Sequence, residues 1–211
     1  MSKARFITVE GMEGAGKSTC MALIEQRIRA RGHELLVTRE PGGTPLGEDL
    51  RGLLLGHRHD GMSDDTELLL MFAARAEHLK ARIEPALASG IWVLCDRFTD
   101  ATFAYQGYGR GIDIARIGQL ENWVQGERRP DLTLLLDLPV AMGLERAGKR
   151  SAPDRFESQQ MAFFDRVRDG YLRLADAAPS RFRVIDAAQD LASVSATIGD
   201  QIDRYLDANA E

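Results

Sequence analysis

The sequence has little cysteine, and its histidines form no pattern typical of a metal site. The two cysteines, Cys20 and Cys95, lie far apart and form no C-x-x-C pair. The four histidines give no H-E-x-x-H pattern, although His57 and His59 share one short run. These absences argue against a disulfide scaffold and a structural metal, and they suit a reducing compartment.

Long apolar runs and an excess of positive charge are also absent. No apolar stretch approaches the roughly 20 residues of a membrane span, and the start, MSKARFITVEG, has no signal-peptide core. The net charge of −5 gives no overall basic surface for nucleic acid or anionic lipid. We therefore expect a cytoplasmic protein that binds neither membranes nor nucleic acid.

The sequence does contain a regular alternation of strand-like and helix-like segments. Its 211 residues, 44% of them hydrophobic, show no repeat or linker and fit one domain. Nearly continuous apolar runs, as in strands covered on both faces, lie at 5–10, 34–40, 91–98, 131–138 and 182–187. The alternation predicts an α/β fold in which helices flank a five-stranded parallel sheet, with ligands beyond the carboxyl ends of the strands.

The strongest local pattern is G-x-x-x-x-G-K-[ST], a phosphate-binding loop. Its glycines let successive backbone amides approach an anion closely. Lys17 is placed to reach the β- and γ-phosphates of a nucleotide, and the Ser18 hydroxyl to coordinate Mg²⁺. The residues predicted to bind the nucleotide are Gly11, Met12, Glu13, Gly14, Ala15, Gly16, Lys17, Ser18 and Thr19. The pattern predicts binding of a nucleoside triphosphate but not the fate of its phosphate.

Two missing patterns narrow the class of phosphate-loop protein. A GTP-dependent switch needs an Asn-Lys-x-Asp segment, but Asn122 is followed by tryptophan and Asn209 by alanine. The serine-glycine-glycine signature of transporter-type ATPases is also missing. What remains is a compact chain with arginines at the ends of strands.

Charged side chains end three of the predicted strands, at the edge where ligands bind. Arg39 and Arg97, together with Lys17, favour bidentate binding of a second phosphorylated molecule. Asp96 is the predicted Mg²⁺ ligand, directly or through water, and Asp137 is the alternative. The arginine beside Asp96 favours that residue, because metal and acceptor phosphate must meet.

An arginine also lies within the apolar stretch LLLMFAARAEHL. Phe72 and Arg75 are three residues apart, so they share a helix face. A buried guanidinium needs an acceptor. Either Phe72 is a core residue and Arg75 bonds a carbonyl or carboxylate, or a base stacks on Phe72 and presents a carbonyl to Arg75.

Together these segments resemble the thymidylate kinase family, which phosphorylates dTMP to dTDP with ATP. The shared stretches are EGMEGAGKST, TREPGGT, CDRFTDATFAYQGYGRGI, RPDLTLLLD and DRFE, in the same order from about Phe6 to Ala187. The resemblance implies a P-loop, nucleoside-monophosphate-kinase-like three-layer sandwich, a single domain over 1–211 and a mobile lid at about 146–156. It points to the bacterial type, with glutamate in the phosphate loop and a basic lid, and to ATP and Mg²⁺ as cofactors.

The resemblance assigns the base-binding end of the dTMP site. Phe72 would stack on thymine and Arg75 would bond its carbonyl, while Thr102 and Gln106 would contact the base. Ala101 stands where relatives often have serine, so one polar contact to the base is expected to be missing.

At the other end of dTMP, Arg97 would hold the phosphate with Arg39 nearby, and Tyr105 would pack under the sugar and disfavour a 2′-hydroxyl. Glu13 would face the sugar hydroxyl, since a carboxylate beside a triphosphate is repelled.

The catalytic residues expected from the resemblance are Glu13, Lys17, Asp96, Arg97 and Arg150. Some members carry an arginine directly after the acidic loop residue, but this chain has Gly14 there. The run ERAGKRSAPDR would then supply the missing charge, with Arg150 first and Arg146 and Arg155 as alternatives. The run also fits a solvated basic helix end.

Two other functions stay open from the sequence. One is a kinase for another deoxynucleotide or deoxynucleoside, and the other is an ATP-hydrolysing switch protein without a nucleoside acceptor. Relatives form homodimers, for which the apolar helices around 66–79 and 112–125 are candidates. The Glu40–Pro41 bond is open to either the cis or the trans form.

Overall fold

Five parallel strands form one sheet in the computed structural model, which describes residues 4–57, 61–149, 154–156 and 159–209. The strands are β1 (Phe6–Gly11), β2 (Leu35–Arg39), β3 (Trp92–Asp96), β4 (Leu132–Asp137) and β5 (Phe182–Asp186). Their order across the sheet is β2-β3-β1-β4-β5. Each predicted run contains one strand or nearly all of it, so the predicted five-stranded parallel sheet is confirmed.

Helices connect the strands. They are α1 (Lys17–Ala30), α2 (Pro45–Leu55), α3 (Asp64–His78), α4 (Glu84–Ala88), α5 (Thr99–Thr102), α6 (Ile114–Gln125), α7 (Val140–Gly148), α8 (Met161–Ala177) and α9 (Leu191–Asp207). Two π-helical segments, Leu79–Ile83 and Phe103–Gly109, continue α3 into α4 and extend α5. In the chain segments that the structure covers, no helix is both long and apolar enough to cross a bilayer.

The sheet carries apolar clusters on both faces, because side chains alternate along each strand. Phe6 and its neighbour Val93 pack with Ile83 on one face. Ile7 and its neighbour Leu94 belong to the larger cluster that includes residues of α1, α8 and α9. Helices therefore cover both sides, and the predicted three-layer arrangement is confirmed.

The strand order places a crevice above β1. After β1 the chain builds β2 and β3 on one side of it, and then β4 and β5 on the other. Loops that leave neighbouring strands in opposite directions open a crevice at the carboxyl ends, where ligands of such sheets bind. The phosphate loop, which follows β1 directly, lies at this point.

Candidate functional site

A cavity of about 240 Å³ lies at the carboxyl ends of β1 and β3. The predicted site residues that line it are Glu13, Gly14, Ala15, Gly16, Lys17, Ser18, Arg75, Asp96, Arg97, Thr102, Tyr105 and Gln106. Gly11 and Met12 are buried at the start of the loop, and Thr19 lines a neighbouring groove. The fold thus brings the phosphate loop and most of the predicted acceptor residues to one cavity.

The phosphate loop owes its shape to residues without a β-carbon. Gly14 and Gly16 have φ angles of 74° and 90°, which lie in the left-handed region. Lys17, the first residue of α1, reaches back so that Nζ lies 3.1 Å from the Gly11 carbonyl oxygen and 3.0 Å from that of Met12. Burial lowers the pKa of Lys17 to about 8, and the positive charge of Arg97 adds to this effect. The loop therefore holds a partly desolvated cation that an anion would stabilise.

The phosphate loop also touches the start of α7, and this contact explains why position 14 has no side chain. A β-carbon on Gly14 would lie 2.0 Å from the Gly143 carbonyl oxygen. A β-carbon on Gly143 would lie 2.7 Å from the Glu13 carbonyl oxygen. An arginine directly after Glu13 does not fit this backbone.

Arg97 has an unusual backbone and a side chain that two hydrogen bonds hold in place. Its φ angle is 68°, the one positive value among the non-glycine residues that the structure describes. Nη2 donates to Glu13 Oε1 at 2.7 Å, and Nη1 donates to the Tyr171 hydroxyl at 3.2 Å. Its guanidinium carbon lies 4.9 Å from the centre of the Tyr105 ring. A left-handed arginine directly after a strand is costly, and such strain concentrates at functional sites.

Glu13 faces the side of the cavity that is formed by residues following β3 in the chain. The Tyr105 hydroxyl lies 2.8 and 2.7 Å from its two carboxylate oxygens. Burial by itself would raise the pKa of Glu13, but Arg97, Lys17 and the Tyr105 hydrogen bond outweigh it and hold the pKa below its usual value. Glu13 is therefore an ionised group among acceptor-side residues.

Of the two candidate metal ligands, Asp96 has the free oxygen. It lines the cavity, and its buried Oδ1 has no hydrogen-bond partner in the described part of the chain. Asp137 accepts from Arg168 Nε and Nη2 at 2.7 and 2.8 Å, so both of its oxygens are occupied. Mg²⁺ prefers oxygen ligands and often takes only one or two protein groups beside phosphates. The orphaned Asp96 oxygen and the exposed Ser18 hydroxyl fit such an ion.

At the far end of the cavity lies Arg75, whose side chain is only 2% exposed. Nε donates to Glu40 Oε2 at 2.8 Å, and Nη2 donates to Thr102 Oγ1 at 2.9 Å. Nη1 is buried and has no partner in the residues described. Because a buried guanidinium nitrogen needs an acceptor, this end of the cavity is suited to a ligand carbonyl.

Phe72 does not line the cavity. The expectation that its ring stacks on a base is therefore corrected. It lies among Leu68, Ile112 and Ile117, and its ring centre is 4.9 Å from the Arg75 guanidinium carbon. Residues three apart on a helix contact each other, and the phenyl ring also packs with Ile117 of α6. The preceding residue, Met71, lines the cavity instead.

Arg39 also lies outside the cavity lining, and Arg51 takes the place expected for it. Arg39 is 50% exposed and donates to Glu48 Oε2 at 2.7 Å. Arg51, from α2, lines the cavity and donates to the Pro41 carbonyl at 2.9 Å. Burial lowers the pKa of Arg51, and the nearby Arg39 and Arg97 add to the shift. The only sequence signal for Arg51 is a cation in the otherwise apolar end of α2.

The basic run that begins in α7 is only partly described, and Arg150 lies outside the described residues. Arg155 is buried, and it donates to Glu67 and to the Leu54 carbonyl. Arg146 donates to the Ala187 carbonyl at 2.9 Å and lines a groove on the other side of the phosphate loop. Arg155 therefore holds the residues around it against α2 and α3. These contacts argue against Arg155 as the residue that stabilises charge on the transferred phosphoryl group.

The Glu40–Pro41 peptide bond is cis, which settles the alternative that the sequence left open. Glu40 is buried and lines the cavity. Its hydrogen bond from Arg75 Nε was not expected from the sequence.

Comparisons with known proteins agree with one another. The family model described as thymidylate kinase matches residues 9–198. A thymidylate kinase of Pseudomonas syringae pv. tomato is 58% identical over 202 residues, covering 96% of each chain. One of Alkalilimnicola ehrlichii is 56% identical over 195 residues, covering 92% of this chain and 90% of that one. The crystal structure of thymidylate kinase from Ehrlichia chaffeensis superposes with a TM-score of 0.77 at 35% identity, covering 96% and 98% of the two chains.

Proposed function

Because the chain belongs to the thymidylate kinase family, we propose that it transfers the γ-phosphoryl group of ATP to dTMP, giving ADP and dTDP for dTTP synthesis. The observation that carries the proposal is one cavity in which a phosphate loop faces Arg97 and Arg75, whose Nη1 has no partner among the described residues. The phosphate loop and Arg97 would each bind an anionic phosphate, and Nη1 of Arg75 would bind a base carbonyl. The single domain over 1–211 with a lid at about 146–156 belongs to this proposal.

In the acceptor half, dTMP would lie between Arg75 and Arg97. Arg75 Nη1 would donate to a base carbonyl, and Met71 would pack against the base in the place expected of Phe72. Thr102 and Gln106 would border the base. The fit of a carbonyl to an N–H donor favours thymine over a base with an amino group at that edge.

Arg97 would bind the phosphate of dTMP with a bidentate guanidinium, helped by Arg51 rather than Arg39. Tyr105 and Glu13 would border the sugar, where the carboxylate meets a hydroxyl. Arg97 also shields the repulsion between the two anions as they approach.

In the donor half, the phosphates of ATP would lie on the loop amides and the amino end of α1. The adenosine would extend into the groove of about 200 Å³ lined by Thr19, Arg146, Ala187 and Gln189. Lys17 Nζ would leave the loop carbonyls for the β- and γ-phosphates. Asp96 and Ser18 would hold Mg²⁺, which neutralises phosphate charge when bound.

Transfer then needs alignment more than acid or base catalysis. An oxygen of the dTMP phosphate is already nucleophilic, so the protein must hold it in line with the γ-phosphorus and exclude water. Lys17 and a lid arginine, Arg150 first, would stabilise the spreading charge. The groups of the acceptor half hold dTMP still while the bond to the β-phosphate oxygen breaks.

The direct test is ADP release by the purified protein with Mg-ATP and one acceptor at a time. We expect turnover with dTMP, less with dUMP, little with dCMP and none with thymidine, because the site holds a phosphate and a base carbonyl. Equal ADP release with and without dTMP would indicate an ATP-hydrolysing switch. A preference for thymidine or dCMP would indicate a different kinase. Since both substrates occur in the cytoplasm, we place the enzyme there.

We also propose that the protein is a homodimer joined through a groove between α3 and α6. Apolar residues of both helices line it, including Leu69, Phe72, Ala76, Leu120 and Trp123. Leu69 is 56% and Trp123 83% exposed in the single chain. An exposed apolar patch on this scale favours a protein partner, and a second copy would place two such helix pairs face to face.

Replacing Trp123 by glutamate should weaken this dimer by at least about tenfold, because a charge would be buried in an apolar contact. Sedimentation velocity on wild type and variant measures the effect. Met161→Glu is the matched control, since Met161 is also exposed but lies on α8. A monomeric wild type at micromolar concentration, or an unchanged dimer in the variant, would contradict the interface.

A further inference from the structure

His78 lies beneath the base-binding end of the cavity without lining it. It follows Arg75 by three residues on α3, and its side chain is 0% exposed. Nδ1 lies 3.0 Å from Glu40 Oε1, and Nε2 lies 2.7 Å from Thr38 Oγ1. The other oxygen of Glu40 accepts from Arg75 Nε. One buried carboxylate therefore joins the imidazole to the guanidinium.

We propose that His78 is a positioning residue for Arg75, acts through Glu40, and thereby sets selectivity for a pyrimidine with a carbonyl at the edge that Arg75 reads. The proposal rests on the dTMP kinase function proposed above. His78 touches no reacting group, so its effect must pass through the carboxylate.

The physical reason is that a carboxylate held at one oxygen can rotate, whereas one held at both cannot. Glu40 Oε2 holds Arg75 Nε, and Thr102 Oγ1 holds Nη2. Because the guanidinium is planar, these two bonds also fix the direction in which Nη1 points. If Glu40 Oε1 lost its donor, the carboxylate would turn to find another and would carry Nε with it. Nη1 can donate to a carbonyl oxygen but not to an amino group, and it makes this distinction only when it points at that edge of the base.

Both ring nitrogens of His78 have a hydrogen-bond partner. Nδ1–H donates to Glu40, and Nε2 accepts from the Thr38 hydroxyl, an assignment made from the partners. Arg75 already balances the charge of Glu40. The rings of Phe72 and Phe98, at 4.9 and 5.2 Å from the guanidinium carbon, hold the plane of the guanidinium.

The loop after β2 leaves room for the ring. A β-carbon on Gly43 would lie 2.5 Å from His78 Nε2 and 2.7 Å from Thr38 Oγ1. Gly43 also has a φ angle of 81°. The imidazole therefore fits into a space that this glycine keeps open, against the segment that carries Glu40.

The test compares His78→Asn with His78→Gln. The asparagine amide replaces the Nδ1 donor towards Glu40, whereas the longer glutamine places its amide towards Thr38. We expect His78→Gln to raise the KM for dTMP about tenfold, with kcat and the KM for ATP within about twofold. The ratio of kcat/KM for dTMP over dCMP should fall about tenfold in His78→Gln and by less than about threefold in His78→Asn.

Equal selectivity in wild type and both variants would overturn the inference, even if thermal unfolding shows lower stability. Equal losses of dTMP and ATP affinity would also overturn it, because they would indicate general damage. A wild type that turns over ATP without dTMP would instead overturn the proposed function, and this inference with it. If His78→Gln does not fold, Thr38→Val takes its place. This change removes the hydrogen bond to His78 Nε2 and leaves the one from Nδ1 to Glu40. The selectivity for dTMP over dCMP must then stay at the wild-type level, and a lower selectivity would overturn the inference.

Discussion

Replacing Arg97 by alanine is expected to lower kcat/KM for dTMP by at least about a hundredfold, the cost typical of losing a charge stabiliser. The reason is geometric as well as electrostatic. Arg97 is held between Glu13 and Tyr171, so its guanidinium is oriented before any ligand binds. Its loss would remove the bidentate site for the acceptor phosphate and leave Glu13 without its ion-pair partner.

Steady-state kinetics with dTMP and ATP varied in turn would measure this effect. The KM for ATP should change far less than the KM for dTMP, because Arg97 lies on the acceptor side. Arg97→Lys keeps the positive charge but loses the paired N–H donors that bind a phosphate in a bidentate way. We expect this variant to keep only part of the wild-type activity.

Arg31→Ala is the matched control, since it removes an exposed arginine at the end of α1 that pairs with Asp207. Its activity should stay at the wild-type level. Near wild-type rates for Arg97→Ala would refute the assignment of the acceptor phosphate to this residue.

The sequence predicted best what depends on neighbours along the chain. Buried parallel strands must be apolar on both faces, so the five runs marked the sheet. The phosphate loop is likewise a contiguous structure in which glycines and Lys17 fix their own geometry. Arg97 and Asp96 were predicted to lie at the cavity because the end of a strand in a parallel sheet has one possible location.

The sequence did not predict which side chain of a helix faces the cavity. Phe72 and Met71 differ by one position, about 100° around the helix axis, and only the packing of α3 against α6 decides between them. The apolar pattern treats both residues alike. A stacking aromatic was expected, and a thioether lines the cavity.

Residues far apart in sequence were missed for another reason. Tyr171 meets Arg97, and Glu40 meets Arg75, only after the sheet and helices have assembled. Tyr171 belongs to no local pattern with a chemical meaning of its own, and Glu40 lies in the shared stretch TREPGGT without any expected contact to Arg75. Arg39 shows the converse, because its position after a strand was right while its side chain turns to Glu48 at the sheet edge.

Replacing Lys17 by methionine is expected to lower kcat by at least about a hundredfold, since the ammonium would act mainly on charge that develops during transfer. Methionine keeps the length and apolar stem of lysine, so the start of α1 should be preserved. Single-turnover and steady-state rates would measure the loss, and calorimetry should show dTMP binding close to that of wild type. A variant that keeps more than about a tenth of the wild-type kcat would contradict the role of Lys17.

The same substitution is expected to raise the Tm of the nucleotide-free protein near neutral pH. Burial lowers the pKa of Lys17 from 10.5 to about 8, so the folded chain holds this proton less tightly than the unfolded chain. As the pH falls through that window, the unfolded state is protonated first and the wild type loses stability, a cost that methionine avoids. The gain in Tm should therefore be largest below about pH 8 and shrink between about pH 8 and about pH 10.5. A gain that does not change with pH would mean that Lys17 is not desolvated, and that the loop is not built to hold a cation for a polyphosphate.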